Sequence, residues 1–312
     1  MDLSVVIPVY NEQDSIKLLV KQLIDLQEQL PEKIMQIIFV DDGSNDDTNK
    51  IINREISDYS NMKIICLSKN FGQTAALSAG IDNADGDILI TMDADLQNDP
   101  SDIPKLLNKL EDGYDVVSGW RDKRNDKYFS RILPSKIANW IISKISGVHL
   151  HDYGCTLKAY RKELLGSVRL YGEMHRFIPI YITWEGGKVT EIPVKHHHRK
   201  FGKSKYGLSR IVSVIADLIL LKFMEKQFVH PIHLFGGFAL MNFGFSILSI
   251  FFMVYYKFWG GKSFIQTPLP QLVILFLMIG ILSLFMGFLA EILMRTYFES
   301  QNRASYTIRK IQ

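Results

Sequence analysis

The first two-thirds of the chain alternates short apolar runs with amphipathic stretches. Leu3–Val9, Ile34–Val40, Met62–Leu67 and Ile88–Met92 are β-rich runs of the length expected for buried strands. Between them, Asp14–Leu30, Thr48–Ile56 and the small-residue stretch Thr74–Asn83 read as helices, the first stopped by Pro31. Further on, Asp115–Ser118, Tyr153–Tyr160 and Val189–Val194 read as strands, and Ser135–Ile145 as a helix. This alternation predicts an α/β domain with a mostly parallel sheet and helices on both faces. Each strand run ends in polar or acidic residues, at the edge where open sheets of this kind bind ligands.

The pattern changes after residue 207. Leu208–Met224 places Ile211, Val212, Ile215, Leu218, Ile219 and Phe223 on one helical face, flanked by Arg210 and Lys222. It predicts a helix in the membrane interface, with an ordinary core helix as the alternative. Pro231–Tyr256 has His233 as its only acidic or basic residue, and Leu269–Ala290 has none. Each run exceeds the roughly 20 apolar residues that cross a bilayer core. Lysines and arginines are dense in 195–226 and recur in 295–312, whereas the connection Lys257–Pro268 carries only Lys257 and Lys262. The positive-inside rule then puts both termini and the α/β domain in the cytoplasm, on the inner (plasma) membrane. The expected organisation is a cytoplasmic α/β domain at 1–207, an amphipathic helix at 208–228, a two-span hairpin at 229–294 and a cytoplasmic tail at 295–312.

Composition narrows the chemistry. A net charge of +3 over 312 residues gives no reason to expect nucleic acid as a partner. Two distant cysteines, Cys66 and Cys155, fit a reducing compartment and offer no metal spacing. The N-terminus enters a strand directly, so no cleavable signal peptide is expected. His196-His197-His198 alternates faces on an extended segment, so convergence on zinc is not expected. Trp120 and Trp184 read as packing residues rather than sugar platforms.

Three acidic clusters fall at strand ends: Glu12, Asp41 with Asp42, and Asp93 with Asp95. Carboxylates gathered at one edge repel one another and call for a cation or a donor-rich ligand. Asp42 could accept hydrogen bonds from a nucleobase or ribose, although Asp41-Asp42-Gly43-Ser44 also reads as a plain turn and cap. Asp95 and Gln97 could reach a hard divalent cation shared with a diphosphate.

Pro8-Val9-Tyr10-Asn11-Glu12, Val40-Asp41-Asp42-Gly43-Ser44, Asn70-Phe71-Gly72 and Asp93-Ala94-Asp95-Leu96-Gln97 resemble glycosyltransferase family 2. Within it, the chain is similar over nearly its whole length to the polyprenyl-phosphate hexosyltransferases. The resemblance implies a GT-A, Rossmann-like fold. It also implies that Pro8, Tyr10, Glu12, Val40, Asp42, Asp93, Ala94, Gln97 and Arg131 bind the nucleotide sugar. Asp93, Asp95 and Gln97 would hold Mg²⁺ or Mn²⁺. Asp95, Arg121, Arg199, Lys205 and Asp152 would carry the catalysis, the cations lying near donor and acceptor phosphates. The basic segment Arg199–Gly207 has a second reading, as a juxtamembrane stretch that binds anionic headgroups. Some relatives have a second acidic residue where this chain has Cys155. That leaves Asp152 as an acid or an orienting group, and no base is required, because a phosphate monoester is largely dianionic at neutral pH.

The expected activity is inverting transfer of a hexose, most of all from UDP-glucose, to undecaprenyl phosphate, giving a lipid-linked sugar for the cell envelope. GDP-mannose, UDP-GlcNAc and UDP-aminoarabinose are alternative donors. A non-enzymatic nucleotide-sugar-binding membrane scaffold is the reading from another class. The expected partners are the nucleotide sugar, the lipid phosphate, the bilayer and further copies of the chain, a tetramer among the bacterial relatives.

Overall fold

The sheet has seven strands: β1 (Leu3–Val9), β2 (Met35–Asp41), β3 (Met62–Cys66), β4 (Ile88–Thr91), β5 (Val116–Trp120), β6 (Lys158–Arg161) and β7 (Val189–Pro193). Their spatial order is β3-β2-β1-β4-β6-β5-β7. All neighbours are parallel except β6, which runs antiparallel to both β4 and β5. The computed structural model describes residues 2–31, 33, 35–122, 133–165, 172, 174–198, 201 and 231–300. Arg131, Arg199, Lys205 and the Leu208–Met224 helix lie outside the described residues.

Alternation along each strand sorts the core into two layers. Val5, Ile7 and Val9 of β1, with Ile37 and Phe39 of β2, face one side. There they meet Leu19 and Leu23 of α1 (Ile16–Gln29), Ile52 of α2 (Thr48–Ile56) and Leu106 and Leu110 of α4 (Ile103–Glu111). Val6, Ile38, Val40 and Leu89 face the other side, against Ala76 and Leu77 of α3 (Gln73–Asp82) and Ile178 and Ile182 of α7 (Ile178–Trp184). Two further helices, α5 (Leu133–Ser146) and α6 (Lys162–Leu165), flank β6 in sequence.

Helix α3 needs its small residues. A Cβ added to Gly80 would lie 2.2 Å from Val6 Cγ1. Gly80→Ala should therefore overpack the α3–β1 contact and cost about 1–3 kcal/mol in urea unfolding. An unchanged unfolding midpoint would show that α3 shifts away freely.

Two elements depart from the sequence pattern. The Tyr153–Tyr160 run forms a strand only over Lys158–Arg161, because Asp152 Oδ1 accepts the Gly154 N–H at 3.1 Å and turns the chain before β6. Helix α4 was absent from that pattern although Ile103, Leu106, Leu107 and Leu110 fall on one buried face. It starts in an Asp- and Pro-rich stretch, where the Asp99 carboxylate accepts the Ser101 N–H at 3.0 Å and opens the first turn.

The chain divides into two compact units, Met1–Ile219 and Leu220–Gln312. The second contains helices Pro231–Phe258 and Leu269–Ser300. Both are long and apolar enough to cross a membrane, with mean hydropathy 1.9 for Pro231–Phe258 and 2.8 over Leu269–Met294. They bury few side chains, 22% and 11% of those windows, unlike the core helices of a soluble protein. They pack where glycines admit aromatics: Gly280 lies against the Phe243 ring and Gly287 against Phe235. Ser246 Oγ also donates to the Val273 carbonyl at 3.1 Å.

Candidate active site

The topology brings the polar segments to one edge. Strands β1, β2, β4, β5 and β7 all end there, and antiparallel β6 begins there. Residues 10–12, 41–44, 93–97, 121, 152–157 and 194–198 therefore share that edge. The chain winds outward from β1 to β2 and β3, then returns to β4 on the other flank of β1. This reversal opens a crevice between the ends of β1 and β4, the general ligand position of doubly wound sheets.

The β1 and β2 ends are stitched together. Asn11, at φ 51°, donates its N–H to Ser44 Oγ at 2.9 Å, and its Oδ1 accepts the Asn45 N–H at 2.8 Å. Glu12 N–H donates to Thr48 Oγ1 at 2.9 Å. Pro8, Tyr10 and Glu12 are half-buried at this rim. Val40 is fully buried, its Cγ2 facing the α3 glycine, so any contact it makes in the crevice is through its backbone. Asp41 accepts the Ser44 N–H, as a turn residue does.

Asp42 is 4% exposed, and both its oxygens are engaged. Oδ1 accepts the Phe71 N–H at 2.7 Å and Oδ2 the Gly72 N–H at 2.9 Å, at the start of α3. Each oxygen keeps a further lone pair. Gly43 (φ 71°) lets the loop pass under this clamp, since a Cβ there would meet the Lys69 carbonyl carbon at 2.6 Å.

The Asp93–Gln97 loop follows β4. Asp93 Oδ1 accepts from Gln73 Nε2 at 2.7 Å, so α3 holds the first carboxylate. Leu96 sits at φ 61°, costly for a branched side chain, and this turn aims the Gln97 N–H at Asp95 Oδ1, 3.1 Å away. Ala94 and Leu96 anchor the loop in the core. Two carboxylates and an amide on one held loop are the all-oxygen donor set that suits Mg²⁺ or Mn²⁺, with the remaining positions left to water and phosphate. Among the described residues no group of three or more His, Cys, Asp and Glu is placed to hold a metal.

Across the edge, Arg121 and Asp152 form a two-pronged pair. Arg121 Nε donates to Asp152 Oδ2 at 2.6 Å and Nη2 to Oδ1 at 2.9 Å, with the side chains 16% and 4% exposed. Burial disfavours the guanidinium charge, but the Asp152 carboxylate, with Asp93 beyond it, holds Arg121 above its ordinary range. Burial pushes the Cys155 thiol up to about 11, so it is a neutral packing residue rather than a nucleophile. Burial lowers Lys158 to about 8, and its Nζ donates to the Tyr153 carbonyl at 3.0 Å.

Sequence reading missed the contacts that tie 195–198 to the Asp93–Gln97 loop and the turn after it. His197 N–H donates to the Gln97 carbonyl at 2.9 Å, and Lys195 N–H to Asp102 Oδ2 at 2.6 Å. The His197 ring reaches Asp99 Oδ2 at 3.2 Å, so that histidine faces a carboxylate. Burial would raise the Asp99 pKa, but Ser101, His197 and Lys195 outweigh it and hold it at about 2. The folded value lies below the ordinary carboxylate range near 4, so the stabilisation is full above about pH 4 and is lost as pH falls toward 2. Asp99→Asn should flatten this part of the acid limb of urea stability; an acid limb identical to wild type would remove Asp99 as its source. Trp120 stacks on His151 at 4.3 Å, as a packing residue.

This strand order, the switch-point crevice and the acidic loop after β4 define a GT-A glycosyltransferase. The family description "Glycosyl transferase family 2" matches residues 4–169. The chain is 39% identical to the dodecaprenyl-phosphate galacturonate synthase of Rhizobium johnstonii, covering 100% of this chain and 93% of that one. It is 36% identical to the undecaprenyl-phosphate 4-deoxy-4-formamido-L-arabinose transferase of Edwardsiella ictaluri, covering 99% and 93%. The chain therefore belongs to glycosyltransferase family 2, in its polyprenyl-phosphate glycosyltransferase group. Two solved structures share the fold at low identity. Mannosyl-3-phosphoglycerate synthase from Rubrobacter xylanophilus matches with a TM-score of 0.58 at 15% identity, covering 72% of this chain and 75% of that one. Glucosyl-3-phosphoglycerate synthase from Mycobacterium tuberculosis, in complex with Mn²⁺, UDP and phosphoglyceric acid, matches at 0.53 and 18%, covering 72% and 78%.

Proposed function

We propose that this protein transfers a sugar from a nucleotide diphosphate donor to a polyprenyl phosphate at the membrane surface. The observation that carries the reading is the Asp93–Gln97 loop and the Arg121–Asp152 pair at one sheet edge, in a chain that continues into two apolar helices. The rim formed by Pro8, Tyr10 and Glu12 takes the nucleoside, with Asp42 shaping the pocket floor through Phe71 and Gly72.

Asp93, Asp95 and Gln97 hold Mg²⁺ or Mn²⁺, which when bound neutralises charge on the departing diphosphate. The acceptor phosphate oxygen attacks the anomeric carbon from the opposite face as the bond to the diphosphate breaks, inverting that carbon. Asp152 has both oxygens on Arg121, so its role is to orient that arginine rather than to take a proton. Arg121 then offers charge to phosphate oxygens, and Arg199 and Lys205 add cations for the lipid phosphate. Catalysis on the cytoplasmic face of the inner membrane and assembly into a homo-oligomer belong to the same reading.

UDP-glucose remains one candidate donor. The relatives named above are a galacturonate synthase and a 4-deoxy-4-formamido-L-arabinose transferase, so UDP-galacturonate and UDP-4-deoxy-4-formamido-L-arabinose stand beside it as donors. Purified full-length protein with Mg²⁺, undecaprenyl phosphate and each UDP- or GDP-sugar in turn should convert one donor to a lipid-linked sugar on thin-layer chromatography. Release of free sugar with no lipid product, or no turnover of any donor, would sink the reading.

A further inference from the structure

We propose that Arg176 is a further phosphate-binding residue of this site, holding a phosphoryl oxygen jointly with Arg121 over the bare backbone of Gly154. This rests on the transfer reaction proposed above. A Cβ built on Gly154 would lie 3.1 Å from Arg121 Nη2, 3.5 Å from Asp152 Oδ1 and 3.9 Å from Arg176 Nη1. Both guanidiniums thus face the small space that the missing side chain leaves. Of the five N–H bonds of Arg121, its side-chain contacts with Asp152 use one on Nε and one on Nη2, which leaves donors for a second anion.

Arg176 is held there by its neighbour. His175 is 6% exposed, and its Nδ1 lies 2.6 Å from Thr74 Oγ1. The same hydroxyl lies 2.5 Å from the Gly172 carbonyl, to which it donates. A hydroxyl has one proton, so His175 must carry its own on Nδ1 and donate back to Thr74. Thr74 adjoins Gln73, which holds Asp93. The first turn of α3 therefore fixes a cation-loop carboxylate through one residue and the Arg176 segment through the next. Half-buried Arg176, Gly154, Lys158 and His175 also line one small cavity, which makes this corner of the site cationic.

The phosphoryl oxygen has two sources: the donor's diphosphate or the acceptor's monoester. Arg176→Gln and Arg176→Lys should be compared with wild type in the full-length protein. The readouts are calorimetric binding of UDP with Mg²⁺, and KM for donor and for undecaprenyl phosphate. The loss expected is about 10- to 100-fold, that of one charge-assisted hydrogen bond, with partial recovery in the lysine variant. Weaker UDP binding with an unchanged acceptor KM assigns the donor diphosphate. Unchanged UDP binding with a raised acceptor KM assigns the lipid phosphate. Equal kinetics and binding in all three proteins, or losses that follow a lowered melting temperature in both variants alike, would overturn the role. Wild-type transfer with unmoved variants overturns Arg176 alone, whereas a wild type without transfer overturns the reaction beneath it.

Discussion

Asp95→Asn should lower the transfer rate by about 10²–10³-fold while leaving the fold intact, the scale of losing one preorganised electrostatic contact to the departing group. Asparagine is chosen because the loop needs an acceptor at this position. Asp95 Oδ1 receives the Gln97 N–H that closes the strained turn at Leu96, and an asparagine carbonyl can receive it too. Alanine would orphan that N–H and add about 1–3 kcal/mol of destabilisation unrelated to charge. The carboxylate-to-amide change thus removes one of the two carboxylate charges proposed to hold the cation, and little else. Mn²⁺ binding, followed by paramagnetic broadening, should weaken together with turnover. A variant that keeps more than about a tenth of the rate, a 1.4 kcal/mol effect, would take Asp95 out of the cation site.

Local pattern made much of this protein legible. Thr48–Ile56 is a helix over the same residues in sequence and structure, because Ile52 and Ile56 mark one face and the next strand follows closely. The strands ending at Asp41 and near Asp93 were visible because buried parallel strands read as unbroken apolar runs. What stayed hidden is contact between distant segments. Nothing near Asp42 announces that its carboxylate caps a loop 29 and 30 residues later. Gln73 on Asp93, Arg121 on Asp152 and His197 on Asp99 span 20, 31 and 98 residues. Each joins segments that flank different strands and meet only because the fold gathers them at one edge of the sheet, and only Arg121 and Asp152 flank adjacent strands. A local contact explains why β6 was read too long: a carboxylate two residues back competes for the Gly154 N–H, and alternation of apolar positions does not register that competition.

Arg121 and Asp152 should behave as one unit. Asp152 is 3% exposed, so Asp152→Ala leaves a guanidinium largely buried without its counter-ion, at a cost of about 3–5 kcal/mol in unfolding free energy, toward the lower end because Arg121 keeps some solvent contact. Arg121→Met with Asp152→Ala should recover much of that stability, since the apolar pair no longer carries an unmatched charge. Activity should not recover with it. If Asp152 acts by aiming Arg121 at phosphate, each single variant removes the same function, and the double variant is no slower than the worse single. A proton-accepting Asp152 predicts otherwise: Asp152→Asn would erase the acidic limb of the pH–rate profile, and its rate loss would multiply with that of Arg121→Met. Because the acceptor phosphate is its own nucleophile, and because both Asp152 oxygens lie within 3 Å of guanidinium nitrogens, the additive outcome is the one this geometry forbids.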